Sequence, residues 1–365
     1  MRAGAALYTP GRSALVYHKV LARGGDATCL EYCREKNMKT RVGVVGLGYF
    51  GKILLDTLRE ISDLDVVALY DRSKRRSREI DLRGAQFHDD LEEMFRSAPM
   101  DAVVIAEIPG NHLIPTQLAA ARGIHVFCEK PMANTLGDCD KMIEACAEGH
   151  ARLMIGFKHR FSKAMAHVKR DLPRLGRPMW GMYTYPLWKV PDNGWKFDEN
   201  GTKGIVVENM VHAFDLMRYF FGDIRSIFAE GDTFAYPDTK LPDSAIIVAR
   251  FENGAIGGIG GGCTSDQRIT REYLDMHFEK GITQVSGMLD QPYNLRILMR
   301  EETVQEEHEY AGSDGVREEV RHFIECVREN KEPASTGMDG RKALEIALGT
   351  IESIRRHTVV TFPPH

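Results

Sequence analysis

Short apolar runs alternate with amphipathic stretches of helical spacing between residues 40 and 156. The apolar runs are rich in valine and isoleucine and predict strands, whereas the stretches between them predict helices. Near-continuous apolar strands separated by helices are typical of a parallel sheet covered on both faces. We therefore predict a doubly wound α/β (Rossmann) domain over residues 38–156. Its predicted strands are RVGVVG, LDVVALYD, DAVVIAEI, IHVFCEKP and RLMIGF.

The pattern changes in the second half of the chain. Helical spacing recurs in SKAMAHVKRDL and GIVVENMVHAFDLMRYFFG, and longer segments such as SAIIVARFENGAIGGIGG then alternate with period two. Such alternation predicts antiparallel strands with one buried face, and ENG is a turn signal between two of them. A helical pair closes the chain. We predict an α+β domain with a large, mostly antiparallel sheet over residues 157–365.

Length and composition agree with two globular domains. The chain has 365 residues, of which 43% are hydrophobic and 27% charged. A formal charge of −4 excludes a broad basic surface for nucleic acid, and no apolar run approaches the ~20 residues of a membrane span. Seven scattered cysteines without a CxxC pair favour a reducing cytoplasm. Because no Cys/His spacing fits a metal site, we predict none.

Residues 1–37 form an extension without a sustained period. Arginine and lysine come early, and the first acidic residue is Asp26. A transit peptide is one interpretation of this composition. We favour the other, a disordered or non-native extension with Met38 as the functional start, because the ordered pattern begins there with MKTRVGVVGLGYFG.

The sequence GLGYFG fits the dinucleotide-binding pattern G-x-G-x-x-G, between the first predicted strand and the first helix. The first glycine permits a tight turn, the second lets a pyrophosphate approach the helix N-terminus, and the third allows close helix–strand packing. A carboxylate ends the second strand about 20 residues later, where it would accept hydrogen bonds from a ribose. The predicted cofactor residues here are Gly46, Gly48, Tyr49, Phe50, Gly51 and Asp71.

The choice between NAD and NADP depends on the end of the second strand. Asp71 would repel a 2′-phosphate and therefore favours NAD. The segment DRSKRR places Arg72 and further basic residues directly after it. These could hold a 2′-phosphate, so NADP is the alternative.

Glu129 and Lys130 lie side by side at the end of the strand HVFC, followed by Pro131. Ligands of a doubly wound sheet bind at the carboxyl ends of its strands. There the Lys130 ammonium can donate to a substrate hydroxyl or ketone oxygen and stabilise developing negative charge. The alternative is an ion pair at a strand end.

The glycine loop, Asp71 and EKP together resemble the glucose-fructose oxidoreductase / inositol dehydrogenase (Gfo/Idh/MocA) family, from about Lys39 to the C-terminus. The resemblance implies a catalytic Lys130 beside the nicotinamide and a cis Lys130–Pro131 bond. It also implies that His112, at the start of a helix, lies near the nicotinamide end. Glu107 stands where the family often has Thr-Pro, and an acid there would alter cofactor retention.

The resemblance extends to GIVVENMVHAFD, which is similar to the family motif G-x-x-x-D-x-G-x-H-x-x-D. Glu208 replaces the motif's aspartate and Met210 its second glycine, so the sugar preference of close relatives does not carry over. Helical spacing independently puts Glu208, His212 and Asp215 on one face. We expect His212 to take the hydroxyl proton, with Glu208 contacting the substrate or tuning the imidazole. The alternative is a buried histidine satisfied by an acid.

Further substrate contacts are expected from the segments GFKHRF and YTYPLWKVPDNGWKF. His159 and Arg160 of the first segment would face the cleft. Tyr185 and Trp188 of the second would stack on a sugar ring. The alternative for the second segment is a packed loop.

These features predict an NAD(P)-dependent oxidoreductase that transfers hydride between the nicotinamide and a hydroxyl or ketone carbon of a sugar, inositol or related polyol. One alternative is an NAD-dependent glycosidase that works by transient oxidation, and another is a non-catalytic sugar or cofactor sensor. The apolar segment GAIGGIGGGCTS and the resemblance predict a homodimer or homotetramer formed through the second sheet.

Overall fold

The computed structural model describes residues 39–188, 202–265, 271–287, 291, 293–300, 305–312 and 314–363. The predicted extension, residues 1–37, lies outside these ranges. Within them, none of the helices combines the length and the apolar character that a membrane crossing requires.

The first half of the chain forms a six-stranded parallel sheet in the order β3-β2-β1-β4-β5-β6. All four residues of β4 are buried, which explains its uninterrupted apolar sequence. The strand order reverses between β1 and β4, and this reversal creates a crevice at the carboxyl ends of the strands. The strands are β1 Thr40–Val45, β2 Leu64–Tyr70, β3 Gln86–His88, β4 Ala102–Ile105, β5 His125–Cys128 and β6 Leu153–Ile155.

Helices connect these strands, as their amphipathic spacing predicts. The Asp90 carboxylate accepts a hydrogen bond from the Glu93 amide at 2.8 Å and caps one helix, and Thr135 caps another through the Asp138 amide. The helices are α1 Tyr49–Arg59, α2 Arg76–Glu79, α3 Leu91–Ser97, α4 Leu113–Ala120 and α5 Leu136–Glu148. Short 3₁₀ turns cover Pro109–Asn111 and Lys158–Phe161.

The second sheet has nine strands in the order β14-β13-β12-β11-β7-β10-β9-β8-β15. Only the β7–β10 pairing is parallel among the pairs in the described residues, so the sheet is mostly antiparallel as predicted. The strands are β7 Pro178–Trp188, β8 Ile224–Asp232, β9 Ser244–Phe251, β10 Ile256–Ser265, β11 Glu272–Phe278, β12 Gly281–Gly287, β13 Tyr293–Met299, β14 Gln305–Tyr310 and β15 Val360–Thr361.

One face of this sheet is covered by helices. In β9, Ala245, Ile247 and Ala249 are buried, whereas Ile246 and Val248 on the opposite face are exposed. The period-two pattern therefore corresponds to a sheet with one face covered by helices and an opposite face whose apolar side chains are exposed. The helices of this half are α6 Lys163–Leu175, α7 Ile205–Glu208, α8 Val211–Phe221, α9 Gly315–Glu329 and α10 Gly337–Arg356.

Helix α9 lies in the range expected for the second domain but packs on the first sheet. Val320 and Phe323 share an apolar cluster with Val42 and Val44 of β1. The rings of Phe323 and Phe127 meet edge to face at 5.7 Å. The first sheet is therefore covered by two separate segments of the chain.

Candidate active site

A cleft of about 540 Å³ opens at the carboxyl ends of the first sheet, where the strand order reverses. One end is formed by the glycine loop, and the other by EKP together with Glu208 of the second half. The lining residues are Gly46, Gly48, Tyr49, Phe50, Asp71, Arg72, Ala106, Glu107, Ile108, Pro109, Glu129, Lys130, Pro131 and Glu208. Most of the predicted cofactor residues are thereby brought together.

The glycine loop is shaped for a group that approaches the backbone. Gly46 has φ +90°, and a β-carbon there would lie 2.6 Å from the carbonyl oxygen of Ala106. A β-carbon on Gly51 would lie 2.0 Å from the Gly46 carbonyl oxygen, so this position needs glycine for packing. A β-carbon on Gly48 would meet nothing within 4 Å. The chain itself therefore does not require glycine at residue 48, and the open space there fits a bound pyrophosphate.

Asp71 is held by the backbone at the end of β2. One carboxylate oxygen accepts the amide of Leu47 at 3.0 Å, and the other accepts the amide of Ser73 at 2.8 Å. Each oxygen retains capacity for a further hydrogen bond. The carboxylate is thus fixed at the cleft wall, where a ribose hydroxyl could donate to it.

Glu107 and Arg72 form an ion pair at 3.6 Å on the cleft wall. The Glu107 side chain is 11% exposed, whereas that of Arg72 is 64% exposed. Asn111 also donates to the Glu107 carboxylate, at 3.4 Å. The sequence indicated both residues separately but not their pairing, because the pairing depends on the distance between the ends of β2 and β4.

His112 is completely buried and does not line the cleft. Its Nδ1 lies 3.1 Å from the carbonyl oxygen of Met132, and its Nε2 lies 2.8 Å from that of Glu107. Burial lowers the pKa of this imidazole. His112 was expected near the nicotinamide end of the site. Instead it lies behind the cleft wall, where its ring connects the loop after β4 to the loop after Pro131.

Lys130 reaches from the first half of the chain to Glu208 in the second. Its Nζ donates to the backbone carbonyl of Glu208 at 2.9 Å and lies 3.5 Å from the Glu208 carboxylate. The Lys130–Pro131 peptide bond is cis, as the resemblance implies. Two charged residues 78 positions apart thus converge at one end of the cleft.

The single helix predicted over residues 204–222 is broken into α7 and α8. The amide of Met210 bonds back to Ile205, and the amide of His212 bonds to Asn209 at 3.2 Å. In a continuous helix the His212 amide would bond to the carbonyl of Glu208. The break leaves that carbonyl without the helical bond, and Lys130 donates to it instead.

His212 follows the break and is buried, with only 4% of its surface exposed. Its ring stacks on that of His159 at 4.5 Å, and Phe157 contacts it edge to face. Burial, and then the positive charges of His159, Lys130 and Lys158, lower the pKa of His212 well below its usual value. Nδ1 of His212 has no hydrogen-bond partner among the described residues. The imidazole is therefore neutral at pH 7, with one ring nitrogen carrying a lone pair, and the lowered pKa makes it a weaker base than an exposed histidine.

Arg160 does not face the cleft. Its Nε donates to Asp215 at 2.7 Å, another nitrogen lies 3.0 Å from Asp339, and a third donates to the carbonyl of Ala334 at 2.7 Å. The side chain is 5% exposed, so the expected contact with substrate is replaced by a buried ion-pair network. Asp215 shares this network. Of the three polar positions on the predicted helix face, Glu208 lines the cleft, whereas His212 and Asp215 do not.

Tyr185 and Trp188 were expected to stack on a sugar. Tyr185 is buried and meets His159 edge to face at 5.8 Å, so it lies behind the stacked histidines. Trp188 ends β7, but its side chain lies outside what the structure describes. From the sequence, His159 was expected only to face the cleft. Its stacking on His212 could not be predicted, because the two residues are 53 positions apart and no local pattern links them.

Glu129 is a buried acid on the cleft wall. One of its oxygens accepts the Lys130 amide at 3.1 Å, and the other has no partner among the described residues. Burial raises the pKa of Glu129 to about 7, against the opposing effect of Lys130. This carboxyl therefore exchanges its proton near neutral pH.

The parallel sheet with its glycine loop, and the lysine that meets the second domain, define a two-domain oxidoreductase that binds a dinucleotide. The family model described as the oxidoreductase family with an NAD-binding Rossmann fold matches residues 40–157, and the model of the family's C-terminal domain matches residues 171–284. The chain belongs to the Gfo/Idh/MocA family. The predictions of family, fold class, NAD as cofactor and an oxidoreductase acting on CH–OH groups are confirmed.

Several characterised relatives span almost the whole chain. The myo-inositol 2-dehydrogenase of Thermotoga maritima is 27% identical over 334 residues, which cover 86% of this chain and 96% of the relative. A D-apiose dehydrogenase of Paraburkholderia graminis is 27% identical over 364 residues, or 92% and 93% of the two chains.

Solved structures agree with this fold. A probable dehydrogenase from Thermotoga maritima superimposes with a TM-score of 0.76 at 26% identity, covering 88% of this chain and 98% of that one. A levoglucosan dehydrogenase in complex with NADH and levoglucosan has a TM-score of 0.79 at 18% identity, covering 90% and 100%. The second likeness shows the fold alone.

Proposed function

We propose that this oxidoreductase interconverts a secondary hydroxyl and a ketone on a sugar, inositol or related polyol, with Lys130, His212 and Glu208 as its reacting side chains. The observation that carries the proposal is the contact of Lys130 Nζ with Glu208, at 2.9 Å to its carbonyl and 3.5 Å to its carboxylate. This contact lies at one end of a cleft whose other end is the glycine loop.

The glycine loop and Asp71 would hold the dinucleotide. The open space at Gly48 and the position of the Asp71 carboxylate on the same wall fit a pyrophosphate and a ribose. Bound NAD supplies the hydride chemistry. Among the cleft residues, Ala106, Glu107 and Glu129 would line the path between the two ends.

Lys130 polarises the substrate oxygen. An ammonium has three protons to donate, and one of them is taken by the Glu208 carbonyl. That bond fixes the direction of the side chain, and the Glu208 carboxylate lies 3.5 Å away, which leaves a proton available to the oxygen of the reacting C–O bond. The side chain is 14% exposed, and in such a poorly solvated site a positive charge stabilises an alkoxide strongly.

His212 moves the proton. Its neutral imidazole accepts a proton from the substrate hydroxyl during oxidation and returns it during reduction. The stacked ring of His159 holds the imidazole plane, since the two rings are only 20° from parallel. The Glu208 carboxylate would accept a hydrogen bond from a neighbouring hydroxyl of the substrate.

A polyol is supported as the substrate class by the inositol and apiose dehydrogenases among the relatives. Glu208 in place of the motif's aspartate, and Met210 in place of its glycine, distinguish this site from the motif. We therefore do not carry the particular substrates of the relatives over to this chain.

The test is a screen of the purified chain against inositols, pentoses and hexoses with NAD and NADP, following the absorbance of reduced nicotinamide. We expect net NADH formation with at least one polyol, and a His212→Asn variant with a kcat lower by about 10²–10⁴-fold. A surface variant, His357→Asn, serves as the matched control. If a glycoside were cleaved without any accumulation of NADH, the glycosidase alternative would replace this proposal.

We also propose that the open face of the second sheet mediates self-association. Its exposed apolar side chains are Trp180, Met182, Phe228, Ile246, Val248, Ile256 and Tyr273. Light scattering coupled to gel filtration should show a dimer or tetramer that Val248→Glu dissociates. A monomeric wild-type chain would contradict this. The five cysteines that the structure describes are buried and are not in disulfides, in agreement with the reducing, cytoplasmic setting expected from the sequence.

A further inference from the structure

Helix α6 and strand β14 bring metal-ligating side chains together away from the cleft. His167 and Asp171 are four residues apart on α6 and share a helix face. Glu306, His308 and Tyr310 alternate along β14 and share a strand face. None of these residues lines the cleft.

The distances in this cluster are close to those around a metal ion. Nε2 of His308 lies 3.5 Å from a Glu306 carboxylate oxygen, and Nε2 of His167 lies 3.9 Å from the same oxygen. All three ligand atoms lie within 4.8 Å of one another. Ligands of a tetrahedral ion with bonds of about 2.0–2.1 Å are roughly 3.3 Å apart. Small side-chain rotations would therefore bring all three into a coordination sphere.

The second nitrogen of His167 has its own partner. Its Nδ1 lies 3.0 Å from the hydroxyl of Tyr310. Metal-ligating histidines commonly bond their other ring nitrogen to such an outer group, which fixes the ring orientation and the tautomer. With Nδ1 engaged, Nε2 of His167 is directed to the cluster.

His308 provides an independent indication of a missing ligand. Its Nε2 is buried and finds no hydrogen-bond partner among the residues that the structure describes. A buried polar nitrogen without a partner is unfavourable. A protonated imidazole could donate to Glu306, 3.5 Å away, and water could also satisfy the nitrogen, but only a metal ion would engage His167, Glu306 and His308 together.

We propose that His167, Glu306 and His308 bind a divalent transition-metal ion, with zinc as the best match for two imidazoles and a carboxylate. The fourth position would be filled by Asp171, whose carboxylate lies 3.7 Å from His167 Nε2. The ion would join α6 to β14, the edge strand of the second sheet. This proposal departs from the expectation of no metal, because residues about 140 positions apart in sequence give no local spacing signal.

Arg174 competes with the ion. Its guanidinium lies 3.2 Å from the other Glu306 oxygen and 3.0 Å from Asp171. The Arg174 side chain is 44% exposed, so it can turn into solvent when a cation arrives. We therefore expect Arg174 to weaken metal binding without preventing it.

The experiment is metal binding by the full-length chain after dialysis against a chelator. Titration with Zn²⁺ should load about one ion per chain and raise the Tm, since an ion that binds only the native state stabilises it. Co²⁺ in place of Zn²⁺ should give the visible absorption of a four-coordinate site. His167→Gln and His308→Gln should abolish the zinc uptake, the rise in Tm and the cobalt absorption. The matched control His277→Gln, on β11 and outside the cluster, should keep all three.

Arg174→Gln separates a metal site from an ordinary ion-pair cluster. A metal site predicts tighter Zn²⁺ binding in this variant, because a competing positive charge is removed. The proposal is overturned if the wild-type chain takes up no zinc in excess metal, or if uptake is unchanged in His308→Gln. His308 is partly exposed on an edge strand, so its variant decides the question even if His167→Gln does not fold.

Discussion

The two ends of the cleft are built in opposite ways. The phosphate end is made by the backbone of residues 46–51, one continuous segment whose shape depends on two close glycine contacts. The chemical end is made by side chains of Glu129, Lys130, Pro131 and Glu208, and there the Lys130 ammonium donates to the Glu208 carbonyl of the other half of the chain. Binding of the cofactor and chemistry on the substrate should therefore respond separately to mutation.

The largest expected effect comes from Lys130→Ala at the chemical end. Loss of the ammonium that stabilises the alkoxide should lower kcat by about 10³-fold. The Kd for NAD, measured by fluorescence of the bound cofactor, should change only slightly because the glycine loop is untouched. Lys141→Ala on α5 is the control. Full turnover in Lys130→Ala would remove the lysine from the mechanism.

At the phosphate end, Gly48→Val and Gly51→Ala test two different requirements for glycine. A side chain at residue 48 meets only the open cleft, so Gly48→Val should weaken NAD binding by about 10–100-fold at unchanged Tm. A β-carbon at residue 51 would collide with the Gly46 carbonyl, so Gly51→Ala should destabilise the fold by about 1–3 kcal/mol. Titration calorimetry and thermal unfolding distinguish the two. Equal losses of Tm would show that both glycines serve packing.

Glu129 lines the cleft between the two ends, and Glu129→Gln tests how its raised pKa makes the stability of the fold depend on pH. In the folded chain the Glu129 pKa is about 7, above the ordinary value of 4.5. Between these two pH values the Glu129 carboxyl is protonated in the native state and ionised in the unfolded state. This contribution to stability is complete below pH 4.5 and is lost as the pH rises through 7. Glu129→Gln should therefore be more stable than wild type by about 3 kcal/mol at pH 8, with the difference vanishing near pH 4.

Denaturant unfolding at a series of pH values checks this, with Glu144→Gln on α5 as the control. A stability difference that grew toward acid pH would contradict a raised Glu129 pKa in the folded chain.

The smallest expected effect is on the choice between NAD and NADP. Glu107→Gln removes the partner of Arg72 and an anion from the cleft wall, so Arg72 becomes available to a 2′-phosphate. Because the Arg72 side chain is mostly exposed, we expect the preference to shift toward NADP by only about fivefold. Steady-state kcat/KM with the two cofactors measures it, with Glu92→Gln as the control. A shift toward NAD would show that Glu107 has another role.

The sequence was most informative where neighbouring residues determine the structure. The apolar runs correctly predicted β1, β2, β4, β5 and β6, and the glycine pattern predicted the loop, because strand burial and turn geometry act over a few residues. The three-residue β3 was too short to show a pattern.

Structure that depends on distant partners could not be predicted. The helix break at Asn209 and Met210 lies inside an apolar, helix-like segment. Arg160 has the same local sequence whether it faces a substrate or a buried acid, and its partners Asp215 and Asp339 are 55 and 179 positions away. The cluster of His167, Glu306 and His308 is another such case.

Helix α9 adds a constraint on how the molecule is made. Phe323 and Val320 reach the first sheet only after that sheet and every strand of the second sheet except β15 have been synthesised. During translation, one apolar side of the nucleotide-binding lobe must stay uncovered until about residue 329 has left the ribosome. We therefore expect the two domains to complete their folding together. A fragment of the chain that ends near residue 156 should aggregate, because its first sheet lacks the cover of α9.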